Sequence, residues 1–213
     1  LIREGKIPMR RKLPILAVIV FALAALAQSD LSPIPAKRAA DTYAIYSMLM
    51  PGQPFSSMAP SQTTRWAIAE STVNISDMNP AIPPDGQLTP PPDNPDGFKE
   101  ALEDYESRKY ERFRLEAKRF QLSHSLSMLD DEQVSELRQA RSSTTASSEL
   151  KSQYAGYPGV TFFSAVYYNH SRTAALVFMN NWCANLCAAG QWVYLEKKGG
   201  QWVRRSGISH GGA

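Results

Sequence analysis

Cys183 and Cys187 are the only two cysteines of the chain, and their Cys-x-x-x-Cys spacing is the first place to look for chemistry. A redox pair normally has Cys-x-x-Cys spacing at a helix start, where the thiolate is stabilised, and neither feature is evident. A c-type haem needs Cys-x-x-Cys-His, which is absent. Zinc needs two further ligands. His170 sits in a turn at the far end of the preceding strand, about ten residues of ~3.3 Å each, or roughly 30 Å, from the cysteines. His210 could approach them on a returning strand, but it lies in a Gly-rich tail. A structural disulfide between Cys183 and Cys187 is favoured over a metal site, since the chain carries an export signal. No metal and no cofactor is expected.

His124 lies between Ser123 and Ser125, and carboxylates are plentiful nearby. A Ser-His-Asp set can be assembled from almost any such list, so it carries little weight. The chain has no Gly-rich phosphate loop and no His-Glu-x-x-His. The C-terminal part is rich in aromatics instead. Tyr167, Tyr168, Trp182, Trp192, Tyr194 and Trp202 alternate along strand-like runs and could line a groove for a ligand or peptide. Packing beneath helices on the second face of the sheet is the more economical reading of the same residues.

The elements that must position these groups follow from periodicity. Leu31–Pro35 reads as an extended lead-in, with two prolines that lack amide donors. The spacing of Ala40, Tyr43, Ala44 and Met48 predicts a helix over 36–50, ended by Pro51-Gly52. Trp66 to Val73 suggests a strand. Residues 79–97 (NPAIPPDGQLTPPPDNPDG) are too rich in proline for a helix or central strand and predict a long, mobile surface loop. Asn94-Pro95 is a helix start, and the pattern through Phe98, Leu102, Tyr105, Phe113, Ala117 and Phe120 extends that helix to about Phe120. Early acids and late bases on it suit the macrodipole.

Asp130 to Gln139 carries a capping box with Gln133 and a staple of Leu129 with Val134. Residues 141–148 read as a polar linker. From Val160 the period becomes two: 160–168, 173–179, 191–196 and 201–204 predict four strands. Asn169–Arg172 and Lys198-Gly199-Gly200 supply turns. The fold class expected is α+β, helices followed by a C-terminal antiparallel four-strand meander.

Location is read from the N-terminal side. Arg10, Arg11 and Lys12 precede an apolar run, Leu13 to Ala24, and Ala25-Leu26-Ala27 is a small-x-small cleavage pattern. The run is short for a membrane span, so no stable span is expected after cleavage. Leu1 to Pro8 read as an extension upstream of a start at Met9. Residues 1–27 are thus extension and signal peptide, and 28–213 one domain with a flexible tail after 206. Removing five of 23 basic and one of 20 acidic residues leaves 18 and 19, a net charge of −1. The pI near 8.9 therefore belongs largely to the discarded segment, and no electrostatic case for nucleic acid survives. Asn74-Ile-Ser76 and Asn169-His-Ser171 are glycosylation sequons, meaningful in a eukaryotic host only.

The last 90 or so residues resemble a cassette of uncharacterised secreted bacterial proteins. The likeness rests on Ser164-Ala-Val-Tyr-Tyr-Asn169 followed by Thr173-Ala-Ala-Leu-Val177, on Cys183 and Cys187 in a hairpin loop, and on Leu195-Glu-Lys-Lys-Gly-Gly-Gln-Trp202. The Asp130 helix and Tyr157-Pro158-Gly159 also look like that family. The family tends to have glycines beside the cysteines, where this chain has Ala184, Ala188 and Ala189. The resemblance implies export and fold and nothing catalytic. Two function classes follow: a non-catalytic secreted or periplasmic binding module for a small molecule or protein, or a small hydrolase whose catalytic residues the sequence does not identify.

Overall fold

A computed structural model describes residues 31–50, 65–78, 80–122, 125–184 and 188–205. The signal segment, Ser123, His124, Cys187, His210 and the tail after 206 lie outside the described residues. Among the described residues four α-helices, α1 (Ala36–Leu49), α2 (Pro95–Arg108), α3 (Asp131–Ser142) and α4 (Ser148–Gln153), interleave with seven strands. These are β1 (Trp66–Ala69), β2 (Leu126–Leu129), β3 (Val160–Phe163), β4 (Tyr167–Tyr168), β5 (Ala174–Trp182), β6 (Ala188–Lys198) and β7 (Gln201–Arg204).

The class is α+β, but the sheet is not a four-strand antiparallel meander. It is mixed, in the order β2-β1-β3-β5-β6-β7, with β4 also paired to β5. The antiparallel part runs from β3 to β7, while β1 is parallel to both β2 and β3. Helices and strands therefore alternate in the N-terminal half. The strand expected over 160–168 is broken at Ser164. Its Oγ accepts the Phe178 N–H at 2.9 Å, taking the place of a ladder carbonyl and freeing residues 165–166 from the pairing. Gly199 and Gly200 both have positive φ, +58° and +82°, which the tight β6–β7 turn requires.

One face of the sheet is covered by α1. Tyr43, Ile45 and Tyr46 pack with Ile68, Phe163, Val177 and Leu195, and Tyr46 stacks on Phe163 at 4.5 Å. The buried phase of α1 is Ala39-Thr42-Tyr43-Ile45-Tyr46, whereas Met48 is exposed, so the apolar stripe lies one position away from the one read in the sequence.

The opposite face carries two separate layers. Helix α2, with Phe98, Ala101 and Tyr105, covers Tyr167, Leu176, Trp192 and Tyr194. Helices α3 and α4 cover Ala67, Ala69 and Val160. Asn94 caps α2 by accepting the Gly97 N–H at 3.1 Å, and Asp130 caps α3 in a reciprocal capping box with Gln133. Helix α2 ends at Arg108 and not near Phe120. Beyond it Phe113 donates to Thr72 Oγ1 and Leu115 to Glu70 O, so 112–115 run extended beside 70–73.

Residues 80–94 are irregular apart from a single 3-10 turn at Pro84–Gly86, and they are not wholly at the surface. Pro84, Leu88 and Pro91 are buried, and Leu88 is only 3% exposed against the α2 layer. No helix among the described residues is long and apolar enough to cross a membrane.

Candidate functional site

Strand register decides what lies between the two helical layers. Phe162 on β3 is opposite Asn180 on β5, and Asn180 is opposite Gly190 on β6. Ile68 pairs with Thr161, which places Ala69 level with Phe162. This row crosses four strands, and its Phe162, Asn180 and Gly190 are left partly uncovered while Ala69 is buried at its edge. It floors a cleft of about 590 Å³, walled by Met78, Pro80, Ile82, Gln87 and Arg112 on one side and by Asp131, Val134, Ser135 and Arg138 on the other. That volume is within the usual range for small-molecule sites. Gly190 keeps the floor low. A Cβ there would lie 2.6 Å from Phe178 Cζ.

Three polar side chains define the cleft. The Asn180 Oδ1 atom is buried without a hydrogen-bond partner, an arrangement that normally costs free energy. Arg112 is fixed from below, donating from Nε to Thr72 O at 3.0 Å and from Nη2 to Ser71 Oγ at 2.7 Å. Arg138 is held differently. Its guanidinium lies 5.2 Å from the Phe162 ring centre and 5.7 Å from that of Trp182, within cation–π range.

A second pocket of about 480 Å³, lined mainly by charged and polar residues with Tyr168, lies between α1, α2 and the turn after β4. Asp104 is its centre. It accepts from Arg38 at 2.8 and 3.2 Å, from Arg108 at 3.2 Å and from the Tyr168 N–H at 2.8 Å. Burial alone would raise this carboxyl, but the hydrogen bonds from Arg38 and Tyr168 and the charges of Arg38 and Arg108 outweigh it and hold it below the usual carboxylate range. A folded pKa below the unfolded one gives stability that is present above the unfolded value and is lost as pH falls through the folded one. Asp104→Asn is therefore expected to lower stability at neutral pH by about 2 kcal/mol. The difference from the natural protein should narrow as pH falls through the lowered titration range of Asp104. Urea unfolding at a series of pH values checks this, and a constant offset down to acid pH would refute it.

Comparison with known proteins found no matching family model, no matching curated protein and no matching solved structure. The site must be read from its own residues.

The aromatics singled out in the sequence mostly belong to the interior. Tyr167, Tyr168, Trp192, Tyr194 and Trp202 are all buried, under α1 or under α2, and do not line an open groove. Burial pushes the Tyr167, Tyr168 and Tyr194 phenols above their ordinary range, so they stay neutral. Trp182 alone is half-buried, beside Arg138. Asn169 is buried too. Its Oδ1 accepts from the Thr173 and Ala174 N–H groups, both at 2.8 Å, so this sequon is not presented to solvent by the fold. His170 is exposed in the turn, with Nδ1 3.3 Å from Glu100. Cys183 follows β5, and its carbonyl accepts from Arg141 Nε at 2.6 Å.

Arg112, Arg138 and Asn180 were not singled out from the sequence. A signal existed for two of them. Asn180 shares a strand face with Leu176 and Phe178, and Arg138 lies one turn after the buried Val134.

Proposed function

We propose that this protein is a non-catalytic binding module of the secreted or periplasmic space, which takes its ligand in the cleft over Phe162, Asn180 and Gly190. The observation that carries the reading is the gap in the helical cover, where a buried, unpartnered acceptor sits beside an aromatic ring and two guanidinium groups. The cleft lining includes no histidine, cysteine or lysine among the described residues. Its chemistry is that of recognition: fixed donors on Arg112, a stacked cation on Arg138 and one acceptor on Asn180. The N-terminal signal pattern and the likeness of the C-terminal cassette to secreted bacterial proteins support export.

The test is a thermal-shift screen of polar small molecules and short peptides on the mature chain, with hits mapped by amide chemical shifts. Binders should raise the melting temperature and shift Phe162, Asn180 and Gly190. Ser135→Trp, an exposed substitution on the α3 wall, should fill the cleft and abolish those shifts while the protein stays folded. Hits that map elsewhere, or that bind Ser135→Trp unchanged, would sink the reading.

The pairing of Cys183 with Cys187 is proposed as structural. Closing so short a loop is worth roughly 2 kcal/mol on the chain-entropy estimate. Replacing both by Ser should cost no more than that and leave cleft binding intact, and peptide mapping without reductant should recover the link. Free thiols or stoichiometric zinc in the purified protein would count against it.

A further inference from the structure

Charge is not spread evenly over the cleft. On α3 the residues facing it are Asp131, Val134, Ser135 and Arg138. Asp131 and Arg138 are seven residues apart, two turns, so they sit about 10 Å apart along one helix face. Neither is paired with a side chain of opposite charge in the fold: the described ion pairs of the cleft involve only Arg112, 3.8 Å from Asp77. Asp77 is itself engaged, since its Oδ2 accepts the Asn74 N–H at 2.8 Å. The wall therefore offers an anion at one end and a cation at the other, above an aromatic floor with a single orphaned acceptor.

We infer that the cleft takes short peptides of about three residues with both termini free, ammonium toward Asp131 and carboxylate on Arg138. The inference rests on the binding reading above and names its ligand class. Three observations support it. An extended chain spans at most ~3.3–3.6 Å per residue, so three residues cover about 10 Å, the separation of the two charges. Stacking on Phe162 and Trp182 holds the Arg138 guanidinium, whose planar fork suits a carboxylate, without consuming its hydrogen-bond donors. Asn180 lies directly opposite Phe162 in the ladder and lines the cleft, and its Oδ1 has no partner in the fold, so a turn of the side-chain amide would let it accept one ligand backbone N–H. The other charges facing the cleft are Arg112, already anchored to Thr72 and Ser71, and Asp77, which is used as a cap. The dipole of α3 favours the opposite arrangement for free ions, an anion at its N-terminus, but Asp131 stands there already.

The probe is the tripeptide Ala-Leu-Ala, titrated by calorimetry against its N-acetyl and C-amide forms on the mature protein. The free tripeptide should bind, and blocking either terminus should weaken binding roughly tenfold, the scale of one charge-assisted pair. Arg138→Gln should abolish the preference for the acid over the amide, and Asp131→Asn the preference for the amine over the acetyl form. Both positions are exposed, so unchanged melting temperatures separate loss of recognition from loss of fold. Equal binding of all three peptides, or discrimination that survives Arg138→Gln, overturns the inference. If no peptide binds while other hits still map to the cleft, the ligand class is wrong and the binding module stands. If nothing maps to the cleft, both fail.

Discussion

Gly159→Ala is expected to be among the most destabilising single changes in this protein, at about 3 kcal/mol, the upper end of what overpacking costs. A Cβ at this position would lie 2.1 Å from the Trp182 carbonyl oxygen and 2.9 Å from Cys183 Cα. Both obstacles are backbone, so no rotamer change relieves the clash. Gly159 also leads into β3, whose first residue, Val160, pairs with Trp182. Moving the two segments apart would strain the Arg141 clamp, which donates to Cys183 O at 2.6 Å and to Tyr157 O at 2.8 Å. The comparison variants are informative. Gly190→Ala meets a ring that can turn, and Gly199→Ala meets nothing within 4 Å but must hold φ at +58°. Each should cost about 1 kcal/mol. Urea midpoints in the order Gly159→Ala far below the other two are the expected result, and a Gly159→Ala protein with the natural midpoint would show that the two segments are not in contact.

What the sequence made legible was local. The capping box at Asp130 and the Asn94-Pro95 start depend on side chains within four residues of each other, and both helices begin where these signals stand. Strands β5 to β7 and the Gly199-Gly200 turn followed from alternation and turn chemistry in the same way. The parallel half of the sheet was not legible as a sheet. Strand β2, Leu126-Ser-Met-Leu129, is four residues long, lacks β-branched side chains and pairs with β1 alone. Its assignment depends on a partner sixty residues earlier. The overlong reading of α2 has a related cause. Phe113, Ala117 and Phe120 fall at helical spacing, yet Phe113 and Leu115 owe their places to Thr72 and Glu70.

The cleft is a case of information held between elements. The aromatics that drew notice in the sequence were those with enough apolar area to be drawn into the core. The residues left at the surface of the gap were Asn180, Gly190 and Arg138, unremarkable one at a time. What makes them a site is that β3, β5 and β6 bring Phe162, Asn180 and Gly190 into one row and that α2 and α3 stop short of it. No spacing in the sequence encodes where a layer of helices ends.

The proline-rich segment is expected to behave as part of the core, and its removal as loss of the fold. Loop length by itself costs little closure entropy, so a solvated 79–97 would tolerate deletion of Pro83 to Pro92. The structure points to a different outcome, because Leu88 packs into the α2 layer and two hydrogen bonds from Trp192 tie the segment to β6. The Trp192 indole donates to Ile82 O at 2.8 Å, and the Trp192 backbone N–H donates to Gln87 Oε1 at 3.0 Å. Deletion would remove Gln87 and leave the Trp192 backbone N–H without its partner, at about 1–3 kcal/mol where it stays buried, and would displace Ile82 from the indole and uncover an apolar face. Cooperative unfolding should be lost. Point changes separate the contributions. Leu88→Ala should cost about 2–4 kcal/mol, as a buried leucine truncation does, while Pro83→Ala, at an exposed position, should be within about 0.5 kcal/mol of neutral. Gln87→Ala should fall between, and it also tests the coupling to function. Gln87 caps the β6 amide where β7 no longer reaches and stands in the cleft wall with Ile82 and Pro80. Loosening this segment therefore opens the wall facing α3, and cleft binding should weaken in Gln87→Ala by more than its melting temperature falls. A deletion variant that unfolds cooperatively at the natural midpoint would show instead that the segment rests on the sheet without supporting it.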